Sequence, residues 1–192
     1  MSYHVYTTDG IILKRTAFGE ANVVLHILTR DHGLIIASAQ AVRMVNSKLN
    51  SALQEYSHTL LSCIKGKNGW KIINSASKEN FFFPLSIKKQ QIVARVASVL
   101  VQMLPGEEIH PAVFEVVCGG YTELVTQDKF LKELEALLIA RILYHLGYIG
   151  LKENTLEFVS TYGWGGDVLE KVEKNKLLII SHINKAFKES QL

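Results

Sequence analysis

Short apolar runs alternate with turn-forming residues through the first eighty or so residues, a pattern typical of β-strands. The five runs are DGIILKRTAF (9–18), NVVLHILTR (22–30), GLIIASAQAV (33–42), SHTLLSCIKG (57–66) and GWKIINSAS (69–77). We expect a turn at Asp9–Gly10 before the first run. The second and third are separated only by Asp-His, which predicts a hairpin with Gly33 at the turn. The fourth and fifth are joined by KGKNG, a second hairpin signal with glycine at positive φ.

Five short strands would leave exposed edges if they formed an open sheet, because an unpaired strand invites association with other chains. A small closed barrel removes those edges. Five strands of mixed length are typical of the OB-fold, a Greek-key barrel that often binds oligonucleotides. The sequence therefore predicts an OB-fold nucleic-acid-binding domain over residues 1–80.

The apolar period changes at NFFFPLS (80–86), where Pro84 breaks the strand pattern and Ser86 can cap a helix. Four segments with helical spacing follow, at residues 87–104, 110–125, 128–147 and 167–189. Asp128 is the expected N-cap of the third helix and Gly147 its expected end. The last segment predicts one or two amphipathic helices. The fold class is therefore α+β: an N-terminal five-stranded OB-fold β-barrel followed by an all-helical domain over residues 81–192.

Positive charge is concentrated in the predicted barrel. The whole chain carries +3, but residues 1–84 hold nine Lys or Arg against five Asp or Glu, whereas the remainder holds twelve against thirteen. No acid occurs between His32 and Gln54, a stretch that contains Arg43 and Lys48 in the segment AVRMVNSKLN. Loops usually mix both signs, so the acid-free stretch favours an anionic partner over a merely solvated surface.

Single-stranded nucleic acid is commonly held by cations that contact phosphates and by aromatic rings that stack on bases. The candidate nucleic-acid-binding residues are Lys14, Arg15, Arg30, Arg43, Lys48, Lys65, Lys67 and Trp70, with Lys71 beside them. Tyr3, Tyr6, Phe18 and Tyr56 are nearby aromatics. For Phe18 and Tyr56 we favour packing in the barrel, whereas Trp70 beside a hairpin glycine is equally compatible with packing and with base stacking.

The sequence contains none of the motifs sought for a metal site, a disulfide framework, a catalytic serine or a phosphate-binding loop. Cys63 and Cys118 lie far apart in apolar runs, the seven histidines are scattered, and neither GxSxG nor GxxxxGK[ST] occurs. We therefore expect a binding protein rather than an enzyme, with no metal and no cofactor. The N-terminus lacks signal-peptide features, and the apolar segment 134–151 carries three polar residues typical of a core helix. We expect a cytoplasmic protein without membrane contact.

The segment GIILKRTAFGEANVVLHILTRDHGLIIASAQAVRMVNSKLNSALQEYS (10–57) resembles the N-terminal domain of the bacterial recombination mediator RecO. The positions that carry the resemblance are, in order, Gly10, Gly19–Glu20, Thr29–Arg30, Gly33, Arg43, Ser47 and Leu49. Farther on, FLKELEALLIARILYHLGY is similar to that family's helix ending in Leu-Gly-Tyr, and INKAFKESQL resembles its last helix.

The resemblance implies a protein that binds single- and double-stranded DNA, anneals complementary strands, recruits RecR and helps to load RecA. It also implies binding to the C-terminal tail of single-stranded DNA-binding protein, without a cofactor. Arg43 and Lys48 would contact backbone phosphate, and Lys14, Arg15 and Arg30 would extend the track. Three features depart from the family. QAVR stands where KGAR is usual, and the helical half has only Cys118 where many members carry four zinc-binding cysteines. The region between the Leu-Gly-Tyr helix and the last helix is also short.

Two other functions stay open. The weakened QAVR segment and the modest net charge are compatible with a protein–protein adaptor, whose helical domain would bind an acidic, apolar tail in a groove. An RNA-binding OB protein is the other alternative, because cations and aromatic rings suit both nucleic acids.

Overall fold

A computed structural model describes residues 4–150 and 157–190 of the chain. Tyr3, named above among the aromatics, lies outside the described residues. The described chain divides into two compact units. The first runs to Pro84 and also includes Leu104–Ile109, and the second comprises Leu85–Met103 and the chain from His110 onward.

The first unit is a closed five-stranded barrel. Its strands are β1 (Val5–Phe18), β2 (Asn22–Thr29), β3 (Gly33–Ala39), β4 (Ser57–Gly66) and β5 (Gly69–Asn80). They are hydrogen-bonded in the order β1-β2-β3-β5-β4, and β4 pairs back onto β1. Only β3 and β5 pair in parallel. A short helix, α1 (Leu49–Ala52), follows β3. The predicted OB-fold and both predicted hairpins are confirmed.

The barrel closes through β1, which has 14 residues and pairs with two neighbours in succession. Its first half pairs with β4 from Val5 to Ile11, and its second half pairs with β2 from Gly10 to Phe18. The predicted turn at Asp9–Gly10 is therefore wrong, since both residues lie within the strand. Glycine at position 10 has a steric cause: an added Cβ would come within 2.7 Å of the Leu61 side chain and 2.8 Å of the Ile27 side chain.

The barrel interior is filled by alternating residues of all five strands. The buried cluster comprises Ile12, Val23, Leu25, Ile27, Ile35, Ala37, Ala39, Val42, Leu53, Leu61, Cys63, Trp70 and Ile72. Burial raises the pKa of the Cys63 thiol to about 11, which keeps this cysteine protonated and unreactive. The cysteine is thus a small packing residue, as expected from its apolar surroundings.

The second unit is helical. Its helices are α2 (Ile87–Met103), α3 (Pro111–Thr126), α4 (Leu131–His145), α5 (Glu157–Ser160), α6 (Gly166–Lys174) and α7 (Lys176–Glu189). Helix α4 lies at the centre and packs against each of the other five. The last predicted segment, for which one or two helices were expected, forms the two helices α6 and α7, and α5 was not predicted.

The start of α4 differs from the prediction. Asp128 is not its N-cap, because Phe130 occupies that position in a left-handed conformation with φ 55°. The Asp128 carboxylate instead lies 2.9 Å from the Lys89 ammonium. At the other end Gly147 closes the helix as predicted, with φ +80° and its amide donating to the Tyr144 carbonyl at 2.9 Å.

A fully buried arginine organises the chain after α5. The Arg141 guanidinium lies 4.3 Å from the Trp164 ring centroid and donates to the carbonyls of Phe158 and Gly163 at 2.8 and 2.7 Å. Burial lowers the pKa of Arg141 to about 10. The indole packs against the two glycines inside α3, where an added Cβ at Gly119 would lie 2.7 Å from its Nε1. The two helix-interior glycines thus make room for Trp164.

Substitution of Gly10 tests the closure of the barrel. We expect Gly10→Ala to destabilise the protein by about 1–3 kcal/mol, because the new methyl group would overpack against Leu61 and Ile27. Urea denaturation followed by circular dichroism measures the change. Gly66→Ala is the matched control, since a Cβ there meets nothing within 4 Å. Equal stability of the two variants would contradict the steric role of Gly10.

Candidate nucleic-acid interface

The segment between β3 and α1, residues 40–48, is called here the opening loop, and it folds against the β1–β2 turn. The Arg43 amide donates to the Ala21 carbonyl at 3.0 Å, and its guanidinium donates to the Gly19 carbonyl at 3.1 Å. The Ala41 amide donates to the Asn22 side chain at 3.0 Å. Arg43 is therefore fixed at the turn, its charge facing solvent and its position set by backbone contacts.

Four of the predicted cations are exposed and make no ion pair within residues 4–150 and 157–190. They are Lys14, Arg43, Lys48 and Lys67. Lys67 lies in the two-residue turn between β4 and β5, and Arg43 contacts the turn between β1 and β2. OB-folds commonly bind oligonucleotides through these two turns and the adjoining strand face.

Lys14 and Arg15 lie on opposite faces of β1. Lys14 pairs with His26 on the outer face, whereas Arg15 pairs with Leu25, a residue of the barrel core. The Arg15 guanidinium donates to Asn50 of α1 at 2.9 Å. Burial lowers the pKa of Arg15, and Arg43 lowers it further against the opposing effect of Glu55. Arg15 is thus a neighbour of Arg43 at the barrel end and does not continue the outer row of Lys14.

Arg30 and Lys65 are paired with carboxylates. The Arg30 guanidinium lies 4.0 Å from Asp9, and the Lys65 ammonium lies 2.5 Å from Glu107. Lys65 also lies 5.3 Å from the Trp70 ring centroid. Both cations were predicted to contact nucleic acid, and both have part of their charge balanced within the barrel unit.

The exposure of two aromatic side chains bears on their roles. Trp70 is only 5% exposed and belongs to the barrel core, which favours packing over base stacking for this ring. Phe18, assigned to packing, is 64% exposed, because β1 continues past the barrel core and ends at the β1–β2 turn. Tyr56 does pack as expected, stacked on Phe82 at 5.0 Å.

The basic surface is defined by four residues, Lys14, Phe18, Arg43 and Lys48. Lys14 and Phe18 share the outer face of β1, four residues or about 13 Å apart, and Phe18 adjoins the turn that Arg43 contacts. Glu20, exposed in that turn, is the nearest acid along the chain. His26 beside Lys14 adds no charge at neutral pH, since burial and Lys14 both lower its pKa. Lys14, Thr16 and Phe18 are spaced two residues apart along the sequence. In a β-strand this spacing indicates that their side chains share one face.

Residues 1–81 match the family described as recombination protein O, N terminal. These residues are therefore similar to the N-terminal domain of RecO. The chain is 30% identical over 122 residues to DNA repair protein RecO of Dehalococcoides mccartyi strain 195, covering 63% of this chain and 48% of the relative. It is 29% identical over 154 residues to DNA repair protein RecO of Thermodesulfovibrio yellowstonii, covering 75% and 58%.

The resemblance to RecO inferred from residues 10–57 is thus confirmed. The chain spans about half the length of the curated RecO relatives it matches. Within the part of the chain that the structure describes, no helix is long and apolar enough to cross a membrane. The same residues contain no group of three or more His, Cys, Asp or Glu side chains placed to hold a metal ion.

The Asp9 carboxylate, which pairs with Lys78 and lies near Arg30, makes a pH-dependent contribution to stability that can be measured. Asp9 is nearly buried, and Lys78, His58 and Arg30 surround its carboxylate. Burial raises the pKa of Asp9, but the hydrogen bond and charge of Lys78, with the charges of His58 and Arg30, outweigh it and lower the pKa overall. A lowered pKa stabilises the fold at neutral pH, and this stabilisation is lost as pH falls through the folded-state pKa, below about 4.

We therefore expect Asp9→Asn to be less stable than the wild type by up to about 1 kcal/mol at pH 7, with the difference closing below about pH 4. Urea midpoints measured from pH 7 to pH 3 give the comparison. Glu20→Gln is the control, because Glu20 makes no hydrogen bond or ion pair to any described residue. A difference that persists unchanged at acid pH would rule out the ionic contribution.

Proposed function

We propose that the barrel binds DNA and that the protein serves in recombinational DNA repair, as a binding protein without covalent chemistry or a cofactor. The observation that carries the proposal is the opening loop, which presents Arg43 and Lys48 to solvent with no acid between His32 and Gln54. The names of the relatives support the repair role, since they are DNA repair proteins RecO.

Arg43 is the residue expected to contribute most to phosphate binding. Its backbone and side-chain bonds to the β1–β2 turn hold it at a fixed position, so little side-chain entropy remains to be lost on binding. Lys48, Lys14 and Lys67 add exposed charges around the same strand face and turns. Such cations release counterions from the polynucleotide, which gives affinity that is independent of sequence and falls with salt.

By its resemblance to RecO, the protein would bind single- and double-stranded DNA, anneal complementary strands and assist the loading of RecA together with RecR. The barrel offers a physical basis for annealing, because phosphate contacts neutralise the repulsion between two strands without covering base edges.

Arg43→Ala should weaken binding to a labelled oligonucleotide about 3- to 10-fold and reduce the slope of log affinity against log salt by about 0.7–0.9, because one phosphate contact is lost. Fluorescence anisotropy at several salt concentrations measures both quantities. Arg95→Ala is the matched control, since Arg95 is paired with Glu135 through two hydrogen bonds.

The proposal is contradicted by absent binding at low salt, by binding that salt does not weaken, or by equal effects of the two arginine variants. The RNA-binding alternative is decided in the same assay by competition with a matched RNA, since the 2′-OH distinguishes the two polymers. We expect DNA to compete at least as well as RNA.

A specific observation also favours the adaptor alternative. Helix α7 has a shallow groove of about 510 Å³ on its exposed side, lined by Leu177, Ile180, Ser181, Asn184, Lys185 and Lys188. Leu177 is 85% exposed. Apolar side chains at one end and lysines at the other suit an acidic, apolar tail, such as the C-terminal tail of single-stranded DNA-binding protein.

Lys188→Glu should weaken capture of that tail about 3- to 10-fold, because an acid in the groove would repel it. Fluorescence anisotropy with the labelled tail peptide measures the loss. Lys171→Glu on the neighbouring helix α6 changes the charge equally outside the groove and serves as control. Equal binding of a charge-scrambled tail would remove specific tail recognition at this site.

A further inference from the structure

The opening loop presents apolar side chains to solvent beside its cations. Met44 is 59% exposed and Val45 fully exposed, although Val42, only two residues before Met44, is completely buried in the barrel core. Phe18, at the turn on which Arg43 is fixed, is 64% exposed. Isolated apolar residues on a surface are common, but here two adjacent ones form the tip of a loop, and Phe18 adjoins the turn that Arg43 of this loop contacts.

Hydrogen bonds keep this tip in place. The Met44 amide donates to the Ala41 carbonyl at 3.3 Å, and the Ser47 amide donates to the Met44 carbonyl at 3.0 Å. Arg43, immediately before the tip, is bonded to the β1–β2 turn through both its amide and its guanidinium. The tip is thus a chain of tight turns anchored by Val42, and the exposure of Met44 and Val45 is built into its conformation.

The surroundings of the tip select the chemistry of its partner. Arg43 and Lys48 flank Met44 and Val45 along the chain, and no acid occurs from His32 to Gln54. A polyanion satisfies the two cations. The apolar side chains then need apolar surface, and in a polynucleotide this surface is the face of a base, accessible only where stacking is interrupted.

We infer that Met44 and Val45, with Phe18, form a wedge that enters between bases of the bound nucleic acid and unstacks them while Arg43 and Lys48 hold the flanking phosphates. The inference rests on the nucleic-acid binding proposed above and goes beyond it, because phosphate contacts alone leave the stack intact. Apolar side chains inserted at base steps act in this way in proteins that deform DNA, with cations binding the adjacent backbone.

The test uses an oligonucleotide with a junction between duplex and single strand and with 2-aminopurine, whose fluorescence rises on unstacking, at the junction. Saturating wild-type protein should raise the fluorescence. The double variant Met44→Ser, Val45→Ser should lose most of that rise and bind the junction about tenfold more weakly, equivalent to about 1.4 kcal/mol. Its salt slope should match the wild type, since both cations remain. Met44→Leu should retain the rise.

Ile73→Ser is the matched control, because Ile73 is an exposed aliphatic residue of the same barrel, 45% exposed in β5, outside the loop. A rise in fluorescence that persists in the double variant overturns the wedge, and so does a loss that Ile73→Ser shares. Unchanged DNA binding and fluorescence in the double variant would assign the apolar tip to a protein partner instead, which also overturns it. A wild type that binds without salt dependence would refute the proposed function itself.

Discussion

The closure of the barrel through β1 is the constraint on which the basic surface depends. One strand hydrogen-bonds to β4 over its first half and to β2 over its second, so the chain passes between Leu61 and Ile27 at Gly10 with no room for a side chain. Because the first half completes the barrel, the second half can run on to Phe18 beyond the core. The β1–β2 turn that supports Arg43 lies at the end of this extension.

The same geometry divides the cations into two groups. Two cations meet carboxylates within the barrel unit: Arg30 lies beside Asp9 of β1, and Lys65 pairs with Glu107 of the segment Leu104–Ile109. The opening loop has no acid of its own, and its arginine bonds to backbone carbonyl groups. A carbonyl group positions a guanidinium without cancelling its charge, so the loop keeps a full positive field for an external anion.

Local patterns predicted the elements well and the exposure of individual side chains less well. Alternation of period 2 and turn glycines located β2 to β5, because pairing within a hairpin is decided by neighbouring residues. Phe18 was expected to pack and is exposed, whereas Trp70, for which packing and stacking both stayed open, is buried. Burial depends on which strands meet, and Trp70 enters the core through the parallel pairing of β3 and β5, which joins distant segments. Asp128 is likewise not the cap, since α4 begins at Leu131 with Phe130 as its N-cap, and the Asp128 carboxylate lies beside Lys89.

The cations and the apolar side chains of the opening loop would contribute to affinity in different ways. Cations bind any polyanion with an affinity that salt reduces, and they do so whether or not the bases are stacked. Apolar side chains gain only where base faces are open, and that gain is nearly independent of salt. If the proposed binding holds, a loop that carries both would favour polynucleotide regions whose stacking is weak. Junctions and strand ends are such regions, because there fewer stacking contacts oppose the insertion of a side chain.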